Sequence, residues 1–574
     1  MRLSRDTTVI GVLLMTVAAS ACGRLRLDDG GDGDPRVRES LKTELGSKTR
    51  PAYVTADAEG TRLWKLTRAF YERRHHSLAW IGDELPRPQM DALLRAVRSA
   101  DREGLDPELY GLRFLESRRQ EASKGFLTKK GFEPVEAGRL DVVLTYVCMK
   151  YASDLADGVA DLAHADPAWQ IKPEEFDPLT TLEKALAEDH VEESLNGLSP
   201  DTPHYRALRD ALADYRKRAA AGGWPALPAS LKLKPGQSGP HVTLLSRRLA
   251  ASGDYPEGAA AQRTTYDKTL QEAVERFQRR HGLEPDGVVG RSVVAELNVP
   301  IEHRIRQIEL NLERWRWLPR DLGPRHILVN IPAYRLEVWD NGNIPVQMRV
   351  VVGRKDTPTP IFNDTMTYIV FSPYWNVPPD IAKNETLPGI LRDVAFLSRN
   401  NMEVIDARGN VVDPSDIDLD DPDLYRFRQR PGAGNSLGLV KFMFPNQFNV
   451  YLHDTPADSL FARAMRSFSH GCVRVEHPQA LAEYLLKDSP EWSVSAIEGA
   501  MHAGEERNVK LTAPIPVYLG YWTAVASPEG VEFRSDVYEI DHRQAAKLAE
   551  RLSRLRKTVV AVRSMPTAKG GSSD

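Results

Sequence analysis

The chain has 574 residues, 41% of them hydrophobic and 27% charged, with a formal net charge of −4 at pH 7. This length is enough for three or four globular domains. No basic patch dominates, so nothing indicates a nucleic-acid partner. The cysteines, Cys22, Cys148 and Cys472, are too few for a disulfide framework, and no Cys/His cluster has zinc-ligand spacing. We therefore expect no metal and no cofactor.

The N-terminus has the pattern of an export signal. The apolar run Val9–Ala18 follows two arginines and is too short to span a bilayer. Ala19-Ser20-Ala21-Cys22 resembles a lipobox, in which cleavage leaves Cys22 as an acylated N-terminus; ordinary signal cleavage at the same place is the alternative. We predict a signal peptide over 1–21 and a periplasmic lipoprotein. The outer membrane is favoured because Gly23 follows the cysteine.

The next two segments differ in composition. Residues 22–50 are rich in Asp, Gly and charge, which predicts a flexible tether. From 51 to 221 apolar residues recur at helical spacing, as at Leu140 and Val143. This pattern predicts a helical scaffold domain with Cys148 in its core.

A compact helical unit is predicted over 233–298, after a Gly- and Pro-rich stretch at 222–236 that reads as a linker. Phe277-Gln278 and Asp286-Gly287 agree in order and spacing with the motif of the small three-helix peptidoglycan-binding domain, which the unit resembles. The alternative is a plain helical bundle. His281 is expected on the surface at a helix end.

The second half begins with a predicted connecting helix within 299–323. From 324 to 505 the apolar period is two, as in strands. The charged middle of this β-rich region, 381–431, has short helical patterns and few strand signals, and we interpret it as a capping insertion. A C-terminal extension is predicted over 506–567 and a disordered tail over 568–574.

The most informative motif is Ser469-His470-Gly471-Cys472, with His453 lying 19 residues before the cysteine (472 − 453). A cysteine attacks only as thiolate, and a nearby histidine is the usual base. A free cysteine is more often an inert core residue, but two histidines and a glycine near this one favour catalysis. We predict Cys472 as nucleophile and His453, after a predicted strand at 448–452, as general base. Gly471 and Cys472 would supply oxyanion donors from their main-chain N–H groups.

A histidine, a spacer and Ser-His-Gly-Cys resemble the signature of the L,D-transpeptidases. Arg474, where many members have Asn, is similar to the large periplasmic Gram-negative branch, as is the stretch Pro373–Pro379. The resemblance implies a multidomain α+β fold: an N-terminal helical scaffold, a small three-helix peptidoglycan-binding domain, and a β-rich catalytic domain with a helical capping insertion.

The resemblance also implies a reaction. The enzyme would attack the diaminopimelate–D-Ala bond of a tetrapeptide stem, release D-Ala, and join the acyl group to a second stem as a 3→3 cross-link. Donor and acceptor partners are then peptidoglycan stems, with the membrane reached through the lipid anchor. An L,D-carboxypeptidase and a lipoprotein-anchoring transpeptidase are alternatives on the same fold. A non-catalytic wall-binding protein is the alternative from another class.

Other residues near the motif have less specific roles. His470 either donates to the oxyanion or holds the loop. Arg474 either lowers the pKa of Cys472, holds a substrate carboxylate, or anchors the loop through an ion pair. Substrate contacts are predicted for Ser469, Tyr374, Trp375 and Asn376, with core packing the alternative for Trp375.

The sequence does not decide whether a backbone carbonyl or a carboxylate orients His453. Asp454 is a poor candidate, because adjacent side chains on a strand face opposite ways.

Overall fold

The computed structural model describes residues 35–563, apart from 83–85, 128–133, 160–165, 261, 394, 414–415, 417–423 and 528–529. The predicted signal peptide, Cys22, the first part of the tether and the tail at 568–574 lie outside the described residues. In the described part, no helix has the length and apolar character needed to cross a membrane.

The N-terminal region is helical, as predicted. Its helices are α1 (Pro35–Gly46), α2 (Ala58–Arg73), α3 (Pro88–Arg98), α4 (Leu112–Leu127), α5 (Pro134–Asp157), α6 (Pro178–Ala187), α7 (Val191–Asn196) and α8 (Pro203–Ala220). Cys148 on α5 is 3% exposed, which confirms its predicted core position. The flexible tether is wrong over residues 35–46, which form α1, because Leu41 and Leu45 lie one turn apart on this helix and are buried in the core around α5.

The unit predicted over 233–298, called the module below, is also helical. It contains α9 (Pro240–Ala251), α10 (Glu257–Ala260), α11 (Lys268–Arg280) and α12 (Arg291–Leu297). The predicted linker is partly wrong, since Leu227, Leu231 and Leu233 are buried in the core of the module. His281 is buried rather than on the surface, stacked on Phe277 with ring centroids 3.8 Å apart.

The catalytic half follows a connecting helix, α13 (Ile301–Arg316). Its main strands are β1 (Arg325–Asn330), β2 (Arg335–Asp340), β3 (Asn343–Gly353), β4 (Phe362–Phe371), β9 (Val440–Met443), β10 (Leu452–His453), β11 (Ser467–Ser469), β12 (Val473–Val475) and β13 (Arg507–Gly520). Within the described residues they pair in the order β11-β3-β12-β10-β9-β4-β13-β1-β2, and a further β2–β3 pairing closes the sheet on itself. The strand predicted at 448–452 is mostly loop, and only Leu452 and His453 join the sheet.

The remaining elements of this half surround the sheet. They are β5 (Trp375–Asn376), α14 (Pro379–Ile381), a π-helical turn (Ala382–Thr386), α15 (Leu387–Arg392), α16 (Phe396–Arg399), β6 (Met402–Ile405), β7 (Val411–Val412), β8 (Arg426–Gln429), α17 (Pro478–Leu486), α18 (Val494–Met501), β14 (Ala524–Ser527), β15 (Gly530–Phe533) and α19 (Ile540–Arg563). The insertion is not wholly helical. Strands β5, β8, β6 and β7 form a second sheet over a small core that includes Val404 and Phe427. The strands of the insertion contain few apolar residues, and charged residues lie among them. The alternation of apolar and polar residues that predicts a strand is therefore weak here.

The scaffold region and the catalytic half share hydrophobic cores. One cluster joins α8, α13 and the main sheet, with Trp315 and Trp522 stacked at a centroid distance of 4.6 Å. The C-terminal α19 returns to the N-terminal helices, where Leu555 is buried and Arg551 pairs with Glu59 at 2.5 Å. The sheet that bears the catalytic motif is therefore braced by the scaffold region through both α8 and α19.

Candidate active site

The candidate site lies on one face of two adjacent parallel strands. In β10 and β12, Leu452 is beside Val473 and His453 is beside Arg474. Leu452 and Val473 are fully buried in the core. Because side chains alternate along a strand, His453 and Arg474 face away from that core. Cys472 directly precedes β12, and its thiol is close to Tyr451, two residues before His453. The predicted nucleophile and base therefore share a face.

The Cys472 thiol lies beside Tyr451 rather than in a direct bond to His453. The sulfur is close to Tyr451, and Sγ donates to the Asn449 carbonyl oxygen at 3.8 Å. Burial raises the pKa of the Cys472 thiol, while the polar groups of Tyr451 and the charge of Arg474 oppose that rise. At neutral pH the thiol is therefore mostly protonated and needs a base before it can attack.

His453 has the properties of such a base. His453 is buried, with only 4% of its surface exposed. Burial, followed by the charge of Arg474, lowers the pKa of His453 to about 3. Nδ1 lies 2.5 Å from the Asp454 carbonyl oxygen, which can only accept a hydrogen bond. The proton therefore belongs on Nδ1, and Nε2 keeps the lone pair that a general base uses.

The structure answers the question of what orients His453. The group is the main-chain carbonyl of Asp454, not its carboxylate. The carboxylate instead accepts the N–H of Leu439 at 2.8 Å and that of Thr455 at 2.7 Å. Gly438 makes this possible, because a Cβ at that position would lie 2.3 Å from the Asp454 carboxyl group.

The loop 469–472, called the catalytic loop, is held by its own hydrogen bonds. Ser469 Oγ donates to the Cys472 carbonyl at 2.5 Å and accepts the Gly471 N–H at 3.2 Å. Thr359 Oγ1 donates to the Gly471 carbonyl at 2.8 Å. Gly471 has a φ of +119°, which favours glycine.

These bonds change two predicted roles. Ser469 is 2% exposed and braces the loop, so the substrate contact predicted for it has no free group in this arrangement. The Gly471 N–H is taken by Ser469, which leaves the Cys472 N–H as the better oxyanion donor of the two predicted.

His470 connects the catalytic loop to the insertion. Its Nε2 lies 2.7 Å from Glu385 Oε1 in the π-helical turn, and the His470 side chain is 30% exposed. This contact supports the interpretation of 381–431 as an insertion beside the site. It favours the loop-holding role for His470 over direct donation to the oxyanion.

Two cations flank His453 on the same face. Lys441 on β9 and Arg474 on β12 are its direct neighbours across the sheet. We call Lys441, His453 and Arg474 the catalytic row. Among the described residues no carboxylate pairs with Arg474, and its Nε is buried without a hydrogen bond. The ion pair considered for Arg474 is therefore absent from the described part, and its charge is available to a thiolate or a substrate carboxylate.

Comparison with known families agrees with this geometry. Residues 324–495 match the model of the L,D-transpeptidase catalytic domain. These residues form an L,D-transpeptidase catalytic domain. Residues 238–297 match a peptidoglycan binding domain, and 65–212 match a family described as Scaffold domain.

Individual relatives are similar over part of the chain. A curated Haemophilus influenzae protein, provisionally named an L,D-transpeptidase, is 34% identical over 238 residues, 41% of this chain and 48% of its own length. The chain thus spans about half the length of that relative.

Solved structures with similarity include L,D-transpeptidases from Mycobacterium smegmatis and Xylanimonas cellulosilytica. The M. smegmatis structure is 16% identical and covers 34% of this chain and 58% of its own length. The X. cellulosilytica structure is 17% identical and covers 51% of this chain and 98% of its own length. Both have a TM-score of 0.17. Scores this low add nothing to the family assignment.

The three residues predicted from the stretch at 373–379 lie just before the insertion of the L,D-transpeptidase domain, where β5 pairs with β8. The Tyr374 N–H donates to Glu506 at 2.8 Å, and Arg428 stacks on the Tyr374 ring at 4.4 Å. Trp375 packs against the insertion core, which favours the packing alternative for it. Asn376 is exposed. Their substrate contacts stay predictions.

Sequence reasoning missed Tyr451 and Lys441 in the L,D-transpeptidase domain. Tyr451 lies two residues before His453, and Lys441 stands between the buried Val440 and Phe442. Tyr451 likewise stands between the buried Val450 and Leu452, and such alternation with core residues could have marked the face opposite the core. Among the described residues, no group of three or more His, Cys, Asp or Glu side chains is placed to hold a metal ion.

Proposed function

We propose that this chain is a cysteine-dependent L,D-transpeptidase that forms 3→3 cross-links between peptidoglycan stems. The observation that supports it best is the arrangement of Cys472 and a buried, neutral His453 on one face of an L,D-transpeptidase catalytic domain. Arg474 supplies a permanent positive charge beside them.

In the first half-reaction, His453 Nε2 takes the proton from Cys472 Sγ. The thiolate attacks the carbonyl carbon between diaminopimelate and D-Ala. Collapse of the tetrahedral intermediate breaks the C–N bond, and His453 returns the proton to the departing amine. D-Ala leaves, and the stem is held as a thioester on Cys472.

In the second half-reaction, the side-chain amine of an acceptor stem attacks the thioester carbonyl. His453 accepts a proton from that amine, and the C–S bond breaks as the new amide forms. The proton then returns to the sulfur, so the site is regenerated without a cofactor. Water as acceptor would give an L,D-carboxypeptidase instead.

The oxyanion of each intermediate needs donors close to the sulfur. The Cys472 N–H and the Tyr451 hydroxyl fit this role, because the hydroxyl is close to the sulfur. When the sulfur becomes bonded to carbon, that hydroxyl can donate to the adjacent oxygen. Removing one oxyanion donor typically lowers kcat by about 10²–10³-fold.

Muropeptide analysis tests this function. The full chain is incubated with purified tetrapeptide-bearing cell wall, and the digested products are identified by mass spectrometry. We expect 3→3 dimers and free D-Ala, a carbapenem adduct on Cys472, and neither from Cys472→Ala. Tripeptides without dimers would instead assign a carboxypeptidase. No product and no adduct from a folded wild-type chain would contradict catalysis and leave a wall-binding protein.

The setting of the enzyme is part of the same proposal. The peptidoglycan binding domain supports the wall as partner, and we propose a periplasmic lipoprotein anchored through Cys22. Stable attachment needs two or more acyl chains. Cys22→Ser should therefore move the protein from the membrane fraction to the soluble fraction; an unmodified N-terminus in the wild type would contradict the anchor.

A further inference from the structure

A cleft separates the module from the catalytic domain. It encloses about 510 Å³. Arg279 and Glu284 line it from the module, and Arg463, Arg466 and Arg534 line it from the catalytic half. Two hydrogen bonds set the spacing of its walls: Glu284 Oε1 accepts the Ala464 N–H at 2.9 Å, and Arg534 donates to the Arg279 carbonyl at 3.0 Å.

The lining of the cleft is strongly cationic. Five arginines face a single carboxylate, that of Glu284, which the Ala464 N–H already occupies. Arg534 pairs with Glu532 at 2.5 Å, and Arg349 pairs with Glu476. Over the parts of the chain that the structure describes, no carboxylate lies within ion-pair distance of the other three, Arg279, Arg463 and Arg466.

Arg466 has the most unusual surroundings of the three. Its guanidinium donates only to main-chain carbonyls, at 3.3 Å to Val350, 3.3 Å to Tyr334 and 2.5 Å to Arg463. Burial, followed by the charges of Arg349 and Arg534, lowers the pKa of Arg466 to about 10. A partly buried charge among like charges is unfavourable unless an anion joins it.

Arg349 connects the cleft to the catalytic row, because it lines the cleft from β3, the strand that pairs with β12. Glu476 directly follows β12 and pairs with Arg349, which lines the cleft. Glu476 lies four positions after Cys472, which is at most about 13 Å along an extended chain at about 3.3 Å per residue. An extended peptide of four residues covers a similar distance.

We propose that this cleft binds the carboxylates of a peptidoglycan stem peptide, held between the module and the catalytic loop. The choice of ligand rests on the proposed function, because a wall peptide is the carboxylate-bearing chain that the catalytic domain would act on. Arginine forks suit carboxylates, since the planar guanidinium can donate two parallel hydrogen bonds. The two walls together would then recognise one stem.

Binding of soluble wall fragments to the full chain tests this proposal. The chain carries Cys472→Ala, so that no turnover occurs and the result does not depend on catalysis. The probes are a disaccharide tetrapeptide with free carboxyl groups, the same fragment with carboxamides, and glycan strands stripped of their stems. Isothermal titration calorimetry gives Kd for each.

The cleft variant is Arg279→Gln with Arg463→Gln, both exposed positions. The matched control is Arg247→Gln with Arg291→Gln, which removes the same charge from exposed positions of the module outside the cleft lining. We expect the cleft variant to raise Kd for the free-carboxyl fragment at least about tenfold, because each charge-assisted bond contributes more than a neutral one. The control should bind as before, and raising salt should weaken binding.

Equal Kd values for the cleft variant and the control would overturn the proposal. So would equal affinity for the free-carboxyl and carboxamide fragments, or equal affinity for stripped glycan, since either result shows that carboxylates of the stem are not recognised. Absence of binding at millimolar fragment would overturn it as well. Failure of the muropeptide experiment, by contrast, leaves this binding result standing, so the two failures are distinguishable.

Discussion

The helical scaffold and the catalytic sheet each bury a polar cluster, and the two clusters differ in how their groups are paired. In the scaffold, Asp141 is fully buried and accepts four hydrogen bonds, from the Tyr71 hydroxyl at 2.6 Å and from the N–H groups of Ala79, Trp80 and Ile81 at 2.9, 2.8 and 3.1 Å. Thr145 completes this scaffold cluster by accepting the Trp80 indole N–H at 2.9 Å.

The catalytic row is paired much less completely. Lys441 reaches Glu506 only at 3.9 Å, Arg474 has a buried Nε without a partner, and His453 has one hydrogen bond through Nδ1. Buried polar groups are normally satisfied, and each exception needs a reason. We therefore infer that the scaffold cluster stabilises the fold, whereas the catalytic row keeps its positive charges and its base free to interact with a ligand.

The largest expected effect is on catalysis, from His453→Ala. Acylation of Cys472 by a carbapenem should slow by about 10²–10⁴-fold at pH 7, because general base catalysis contributes that much. Raising the pH above about 9 should restore part of the rate by forming thiolate without the base. Stopped-flow acylation rates across pH check this. Equal rates for variant and wild type at neutral pH would contradict the assignment and point to His470.

For the scaffold cluster we expect a loss of stability without a loss of catalysis. Asp141→Ala leaves three buried main-chain N–H donors unsatisfied, while the Tyr71 hydroxyl keeps Thr145 as a partner, and it should lower the free energy of unfolding by about 3–5 kcal/mol, since each unsatisfied donor costs about 1–3 kcal/mol. Acylation per folded molecule should stay at the wild-type rate. Denaturant unfolding followed by circular dichroism measures the loss, with Asp210→Ala, an exposed acid on α8, as the control. A loss no larger than the control's would mean that the scaffold cluster does not stabilise the fold.

The pH dependence of stability separates His453 from exposed histidines. Burial lowers its folded pKa to about 3, below the unfolded value of about 6.5. The unfolded chain therefore binds the proton more readily, so this contribution to stability is present above pH 6.5 and is lost as the pH falls toward 3. The slope reaches about 1.4 kcal/mol per pH unit.

Unfolding free energies measured between pH 7 and pH 4 should thus fall less steeply for His453→Gln than for the wild type. The exposed His542→Gln is the control and should keep the wild-type slope. Identical slopes in all three chains would show that His453 is not held neutral by its surroundings.

A smaller effect is expected for Arg474→Gln. The kcat/KM for a tetrapeptide donor should fall by about tenfold, equivalent to about 1.4 kcal/mol, because a charge beside the thiolate and the substrate is lost. Arg474→Lys keeps the charge and should recover part of this activity. The melting temperature of Arg474→Gln should not fall, since no ion pair is broken. A large drop in melting temperature would instead make Arg474 a structural residue, like Asp141.

The smallest effect is expected at the contact between the insertion and the catalytic loop. Glu385 and His470 are partly exposed, and such pairs contribute about 0–1 kcal/mol. Glu385→Gln should therefore change KM for a stem substrate by about fivefold or less. Lys383→Gln, an exposed neighbour in the same turn, is the control. Equal KM values for the two variants would show that the contact between Glu385 and His470 does not contribute to substrate binding.

Much of the helical region could be predicted because its signals are local. Apolar residues one turn apart, such as Leu270 and Val274, predicted α11 directly. Two failures came from short apolar stretches in polar surroundings. The leucines of α1 and of the stretch before α9 fold only because other helices cover them, so composition alone indicated flexible chain.

The chemistry of the site could be predicted from Ser-His-Gly-Cys and His453, because the reactivity of a thiol and an imidazole is a property of the residue type. The groups that surround them are set by how the chain packs. Tyr451 meets the thiol because β10 and β12 are adjacent and parallel. Asp454 orients His453 through its backbone rather than its carboxylate. The arginine cleft joins Arg279 and Arg534, which are 255 positions apart, and contacts at such separations arise from chain packing, which no local pattern encodes.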